Sequence, residues 1–233
     1  MSYKKEDAVS FALGAFPTME LLKHKPQFAR KIYLHKNLTM TEDVQKIIDL
    51  AHKNGVLVEN NSKIIENISK KDNVYIMAEF EKFDCKIGAG NQIVLHNPSD
   101  MGNVGTILRT ALGFGFKNII MIAPCVDIFN PKVVRASMGA VFSLNFVICD
   151  SFKAYVERFA GIKKYLFMLD GNTILQELTI SPEPCALVFG NEASGLPAEI
   201  KKYGTPVFIR HSNEIDSLNL AISASIAMFK FSK

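Results

Sequence analysis

Beyond residue 91 the chain alternates short, continuously apolar runs with stretches whose apolar side chains recur at helical spacing. The runs at 93–95, 118–122, 144–149, 165–169, 186–189 and 206–209 read as strands, and 103–114, 132–142, 152–159 and 218–231 as helices. Continuous apolarity marks strands buried on both faces, and their alternation with helices predicts a parallel sheet covered on both sides. The N-terminal part predicts a smaller β-α-β-α-β unit. It has strands at 31–35, 56–59 and 74–80, a helix on which Val44, Ile47, Ile48 and Ala51 share a face, and a short helix at 62–69. Thr39-x-x-Glu42 fits a capping box for the first helix, and Gly55 ends it. The polar stretch 82–90, with Gly88-Ala89-Gly90, suits a linker, so the expected domains are 1–85 and 86–233.

Composition narrows the class without naming a function. At 48% apolar and 21% charged, the chain has the make-up of an ordinary globular protein, and no apolar run approaches the ~20 residues of a membrane span. Its first residues, Met1-Ser2-Tyr3-Lys4-Lys5-Glu6-Asp7, carry no apolar stretch behind their charges, which gives no support to a signal peptide. Cys85, Cys125, Cys149 and Cys185 are single and widely spaced, as expected of reduced thiols in a cytoplasmic protein. The net charge of +4 is spread evenly. One segment departs from that balance: between Leu21 and Met40 stand Lys23, Lys25, Arg30, Lys31 and Lys36, with His24 and His35 and no acid. Such a segment is either a solvated face or a surface that neutralises RNA phosphates.

Familiar nucleotide and hydrolase signatures fail letter by letter. Gly88 and Gly90 begin a dinucleotide fingerprint whose third glycine would fall at Ile93, there is no Walker A sequence, and Ser194 lacks the flanking glycines of a nucleophile elbow. The five histidines show no ligand spacing, so no metal is expected.

Three other segments lie where an apolar strand meets a helix, the place an open α/β sheet gives its ligand. The first is the helix from Asn103: Val104, Ile107, Leu108, Ala111 and Leu112 form its core face, while Thr106, Arg109, Thr110 and Gly113 form the opposite stripe. Backbone N–H groups at such a helix start favour a phosphate, and Arg109 would add a forked donor. The second, Gly190-Asn191-Glu192-Ala193-Ser194-Gly195-Leu196, fits a tight turn, or a turn whose carboxylate orients a cation such as Arg109. In the third, Ile209 to Asn219, Asp216 and Ser217 are both good helix caps, and the Asn219 amide falls within the first turn.

Taken together and in order, these segments resemble the three motifs of the SpoU/TrmH-type RNA methyltransferases of the SPOUT superfamily. Asn103-x-Gly105-x-x-x-Arg109-Thr110-Ala111 is similar to the first, Gly190-Asn191-Glu192-x-x-Gly195-Leu196 to the second, and Ser217-Leu218-Asn219 with Ile209 to the third. The segment 134–140, containing Arg135, also resembles one found between the first two motifs. Two departures stand out: four residues separate Asn97-Pro98 from Asn103 where the family has a shorter turn, and Asp216 replaces the commoner glutamate or serine. The resemblance implies an α/β fold, with a small L30e-like substrate domain before a trefoil-knotted parallel-sheet catalytic domain that works as a homodimer. It implies S-adenosylmethionine as methyl donor and a ribose 2′-hydroxyl of RNA as acceptor, ribosomal RNA before transfer RNA. A base methyltransferase and an RNA-binding protein without catalysis are the rival readings. By the same resemblance Asn103, Arg109, Glu192, Ser217 and Asn219 are the catalytic set and backbone groups of Gly190, Ile209 and Leu218 hold the donor. The RNA contacts expected are Arg135, Lys23, Lys25, Arg30 and Lys31. Arg109 either draws off the hydroxyl proton or fixes the adjacent phosphate; a guanidinium is a poor base, which favours the second.

Overall fold

The computed structural model describes residues 3–70 and 73–232. By packing, the chain forms two units, Met1–Phe83 with Asp127–Ser143 and Asp84–Val126 with Leu144–Lys233.

In the first unit the elements are β1 (Val9–Leu13), α1 (Ala15–His24), β2 (Ala29–Leu34), α2 (Glu42–Lys53), β3 (Leu57–Asn60), α3 (Ser62–Ser69) and β4 (Ile76–Glu81). The strands form a four-stranded sheet in the order β1-β4-β2-β3, in which β4 runs antiparallel to both neighbours and β2 is parallel to β3. The sequence pattern missed β1 and α1. Ser10 interrupts the apolar run of β1, and Pro17 reads as a breaker although it sits in the first turn of α1, where a missing N–H is tolerated. The cap of α2 is Thr41 rather than the expected Thr39: its side chain accepts from the Val44 N–H, and Glu42 and Asp43 follow it where the helix dipole favours acids.

The second unit contains β5 (Gln92–His96), α4 (Met101–Gly113) and β6 (Asn118–Ile122). In sequence there follow α5 (Pro131–Ala136), which packs in the first unit, and then β7 (Asn145–Cys149), α6 (Phe152–Arg158), β8 (Lys163–Phe167), β9 (Thr173–Ile174), β10 (Cys185–Phe189), β11 (Thr205–Phe208) and α7 (Leu220–Phe231). Every pairing in its seven-stranded sheet is parallel, in the order β7-β6-β5-β10-β8-β11-β9. Every residue of β6 and β10 is buried, as expected of apolar strands covered on both faces; the one polar residue, Asn118, is held by hydrogen bonds to Gly88, Ala89 and Asn91. Behind the sheet Val94, Ile120, Leu166 and Val188 pack with Phe152 and Tyr155, and the Tyr155 hydroxyl donates to Gln92 Oε1 at 3.0 Å so that neither polar group is stranded in the core. Of the cysteines, Cys149 and Cys185 are buried, and burial pushes the Cys185 thiol up to about 11. Among the described residues no helix is long and apolar enough to cross a membrane, and no group of residues could hold a metal ion.

The packing units add one later segment to the N-terminal part: Asp127–Ser143 lies in the first unit. The reason lies in its side chains. Phe129 and Phe142 meet the Phe80 ring edge-on at 5.8 and 5.1 Å, Lys82 pairs with Asp127 at 2.8 Å, and Ser10 donates to the Phe129 carbonyl. The helix expected over 132–142 stops at Ala136, since Met138 and Gly139 take positive φ values of 53° and 80°. Gly139 is needed twice over: a Cβ there would also lie 2.9 Å from Glu20 Cβ and 3.0 Å from Pro17 Cα on α1.

Candidate active site

The sheet delivers four loops to the carboxyl ends of adjacent strands. The chain leaves β5 toward β6 on one side, while β10 pairs with β5 on the other, so the loops after β5 and β10 flank a topological switch point. At that end, residues following β8, β10 and β11 line a cavity of about 380 Å³, among them Asp170, Gly190, Glu192, Ile209, Ser217 and Leu218. Its floor includes the stacked rings of Phe167 and Phe189, 4.6 Å apart.

The loop after β10 is shaped by its glycines and Asn191. A Cβ on Gly190 would fall 2.1 Å from the Gly195 carbonyl carbon, so this backbone approach admits glycine alone. Gly195 itself has φ 66°, and the Asn191 Oδ1 accepts from the Ala193 and Ser194 N–H groups to close the turn. The Asn191 amide also donates to the Asn97 carbonyl at 2.8 Å, tying this loop to the one after β5.

Glu192 stands between those loops. It accepts from the Ser99 hydroxyl at 2.7 Å, the Ser99 N–H at 3.1 Å and the Asp100 N–H at 3.0 Å. Burial works against its charge, but the Ser99 hydroxyl and the backbone N–H donors outweigh it and hold the carboxyl below the usual glutamate range. The Asn103 amide reaches Glu192 Oε1 at 3.5 Å, and the Asn219 amide donates to Asn103 Oδ1 at 3.1 Å. A chain of bonds therefore runs Asn219, Asn103, Glu192, joining all three sequence motifs.

Three expectations change here. Asn103 does not open α4: Asp100 caps it, accepting from the Asn103 N–H at 2.7 Å, which places Asn103 in the first turn. Neither Asp216 nor Ser217 caps α7; Asn219 does, accepting from the Ala221 and Ile222 N–H groups, which leaves its amide N–H free to face Asn103. Glu192 meets Ser99, Asp100 and Asn103, whereas Arg109 is exposed with no hydrogen bond or ion pair among the described residues. Six residues beyond Asn103, Arg109 lies about 9 Å further along the helix and two-thirds of a turn round it. Ser99 and Asp100, which the sequence offered only as a turn, belong to the site; their signal was the lengthened turn between Asn97-Pro98 and Asn103.

In the first unit the acid-free basic segment is not free of acids in three dimensions. Lys23 pairs with Glu20, Arg30 with Glu81 and Lys31 with Glu59, while Lys25 lies over the Phe83 ring. Glu20 stands one turn before Lys23 on α1, just outside the segment, whereas Glu81 and Glu59 come from neighbouring strands, where a reading along the sequence does not see them. Arg135 instead donates to Asn73 Oδ1 at 3.0 Å.

This fold is that of the SPOUT methyltransferases. An AdoMet-bound rRNA methyltransferase from Sinorhizobium meliloti superposes with a TM-score of 0.80 at 26% identity, covering 96% of this chain and 86% of that one. The SpoU methyltransferase AviRb from Streptomyces viridochromogenes shares the fold, with a TM-score of 0.82 at 19% identity over 96% of this chain and 88% of that one. The chain belongs to the SpoU rRNA Methylase family, which matches residues 90–229, and residues 11–82 match the RNA 2′-O ribose methyltransferase substrate binding domain. A curated relative, the 23S rRNA (adenosine(1067)-2′-O)-methyltransferase of Streptomyces azureus, is 32% identical over 143 residues, 60% of this chain and 53% of that protein. The chain spans about half the length of the curated relatives it matches at 32–33% identity.

Proposed function

We propose that this chain transfers a methyl group from S-adenosylmethionine to a ribose 2′-hydroxyl of RNA, ribosomal RNA before transfer RNA. The observation that carries the reading is the Asn219, Asn103, Glu192 chain of bonds beside the 380 Å³ cavity. The cavity suits the donor. Its size lies within the roughly 300–1,000 Å³ of small-molecule sites. Its aromatic floor fits an adenine, and the titratable side chains lining it are Glu192, His211 and Asp170, the last paired with Lys201, with no lysine or arginine among the lining residues, a setting a sulfonium tolerates. Gly190, Ile209 and Leu218 offer backbone groups there, and Ser217 a hydroxyl.

When bound, the donor supplies an already activated methyl group, so the work left to the protein is alignment. Glu192 fixes the turn at Ser99 and Asp100 and, through Asn103, the amide of Asn219. These groups set the ribose, and Arg109 holds the adjacent phosphate. Because Arg109 stands apart from Glu192 within one chain, its site is completed by a second copy. On α7, Ile222, Ile226 and Phe229 are 51%, 37% and 70% exposed, and the Phe229 ring meets Phe114 at the end of α4, the helix that carries Arg109. An apolar stripe of this kind is the surface a homodimer would bury. The trefoil knot, the cytoplasmic setting and the docking of RNA by the first unit complete the reading.

The test is to incubate the purified protein and methyl-labelled donor with unmodified ribosomal or transfer RNA, then to map alkali-resistant dinucleotides. Label in such dinucleotides supports ribose transfer, label on a base alone replaces it with base methylation, and RNA binding without label leaves a non-catalytic protein.

A further inference from the structure

Within the first unit, groups suited to RNA gather just after β2 and just before β4, at His35, Lys36 and Tyr75, near Asn73, to which Arg135 of α5 bonds; Glu66, paired with His35, is an acid beside them. Tyr75 is 40% exposed between the buried residues Val74 and Ile76, two residues after Asn73, which is exposed in a turn. His35 faces Tyr75. Its N–H donates to the Tyr75 carbonyl at 2.9 Å, and the two rings meet edge-to-face at 5.6 Å. The imidazole is fixed in orientation: Nδ1 accepts from the Asn37 N–H at 3.1 Å, so the proton sits on Nε2, which donates to Glu66 at 3.1 Å. Arg135 reaches the same surface through Asn73, and its Nη1 is buried with no hydrogen-bond partner. That buried atom is out of reach of a phosphate; the donor edge a phosphate can meet is the one at Nη2, whose contact with Asn73 is exposed. Lys36, beside His35, is exposed, and its side chain has no ion pair among the described residues.

We propose that Tyr75, His35 and Arg135 form a binding site for unpaired RNA, in which a base stacks on the Tyr75 ring and the adjoining phosphate meets Arg135. The inference rests on the RNA reading above and goes beyond it in naming both the surface and the state of the RNA. An exposed aromatic ring beside a cation is how proteins take splayed bases of loops and single strands, whereas a paired duplex offers no base face to it. It also assigns a task to Asp127–Ser143, the segment that carries Arg135 to this surface. By contrast Lys23, Arg30 and Lys31 are already paired with carboxylates and have less to gain from phosphate.

The chain contains no tryptophan, so Tyr75→Trp places a single indole reporter on the site. Its fluorescence should be quenched by a single-stranded oligoadenylate and by a large-subunit ribosomal RNA transcript, and not by a blunt RNA duplex. Tyr75→Ala should weaken oligoadenylate binding, read by anisotropy of labelled RNA, roughly 5- to 100-fold, with Tyr75→Phe close to wild type. Arg135→Gln should reduce the salt slope of log K by about 0.7 to 0.9 for one phosphate lost. Unchanged melting temperatures exclude misfolding as the cause, and the Tyr75→Phe result separates stacking from folding should Arg135→Gln prove unstable. The proposal is overturned if the indole is silent while RNA binds and Lys23→Ala, Lys25→Ala and Lys31→Ala together abolish that binding, if the duplex quenches as well as the single strand, or if no RNA binds at all. Methyl transfer is scored separately: label without quenching sinks this site and keeps the enzyme, and quenching without label does the reverse.

Discussion

At the scale of single residues the site divides into groups that hold one another and one group that holds nothing. Arg109 is exposed and has no hydrogen bond or ion pair among the described residues, so replacing it removes no bond seen there. Arg109→Ala should leave the melting temperature and calorimetric donor binding near wild type while cutting transfer to RNA by two orders of magnitude or more, about the loss seen when a charge-stabilising donor is removed. Turnover retained in that variant would take Arg109 out of the mechanism. Glu192 behaves differently because its bonds are made within the chain. Its folded-state pKa lies below the ordinary 4.5, so its contribution is complete above that value and is lost as pH falls through the lowered one. Donor affinity should therefore stay flat from about pH 7 to about pH 5. A decline across that interval which Glu192→Gln abolishes would show a carboxylate titrating far higher than this hydrogen-bonded one.

At the scale of elements, helix ends and loops were the least legible part of the sequence. The parallel strands were readable because fully buried strands are continuously apolar, and α2, α4 and α7 because one face repeats at helical spacing. The caps were not, since Thr39 and Thr41, or Asp216, Ser217 and Asn219, are alike by residue type and tertiary contacts choose among them. Asn219 shows what decides: one amide both caps α7 and reaches Asn103 on α4, a pairing 116 residues apart that no local pattern encodes. The excursion of Asp127–Ser143 was hidden for the same reason, its anchors Phe80, Lys82 and Glu20 lying far back in the chain. The tight turn read at Gly190 and Gly195 has a backbone reason: Gly190 lies against the Gly195 backbone, and Gly195 takes a positive φ. Gly190→Ala would drive a Cβ into the Gly195 backbone, so it should cost about 3 kcal/mol or more and lower the melting temperature by several degrees, with donor binding lost together with the loop. Wild-type donor affinity in Gly190→Ala would mean that the two backbone segments are not held against each other.

At the scale of the whole molecule, the proposed mechanism asks that Arg109 be brought to Glu192. Within one chain the guanidinium starts about 9 Å along α4 from Asn103 and faces another way. The exposed Ile222, Ile226 and Phe229 of α7, with Phe229 against Phe114 of α4, are the surface on which the proposed second copy would dock. Ile222→Asp with Ile226→Asp should fold normally, since both positions are open to solvent in the single chain, yet run as a monomer in light scattering and transfer no methyl group. Monomerisation alone does not say which chain supplies which residue; subunit mixing does. If each site takes Arg109 from one copy and Glu192 from the other, an Arg109→Ala subunit paired with a Glu192→Gln subunit has one site carrying both defects and one carrying neither. Random reassortment makes half of the dimers mixed, and each has one intact site of two, so two inactive preparations should recover about a quarter of wild-type activity on mixing. If both residues act within one chain, every site in the mixture carries a defect and mixing recovers nothing.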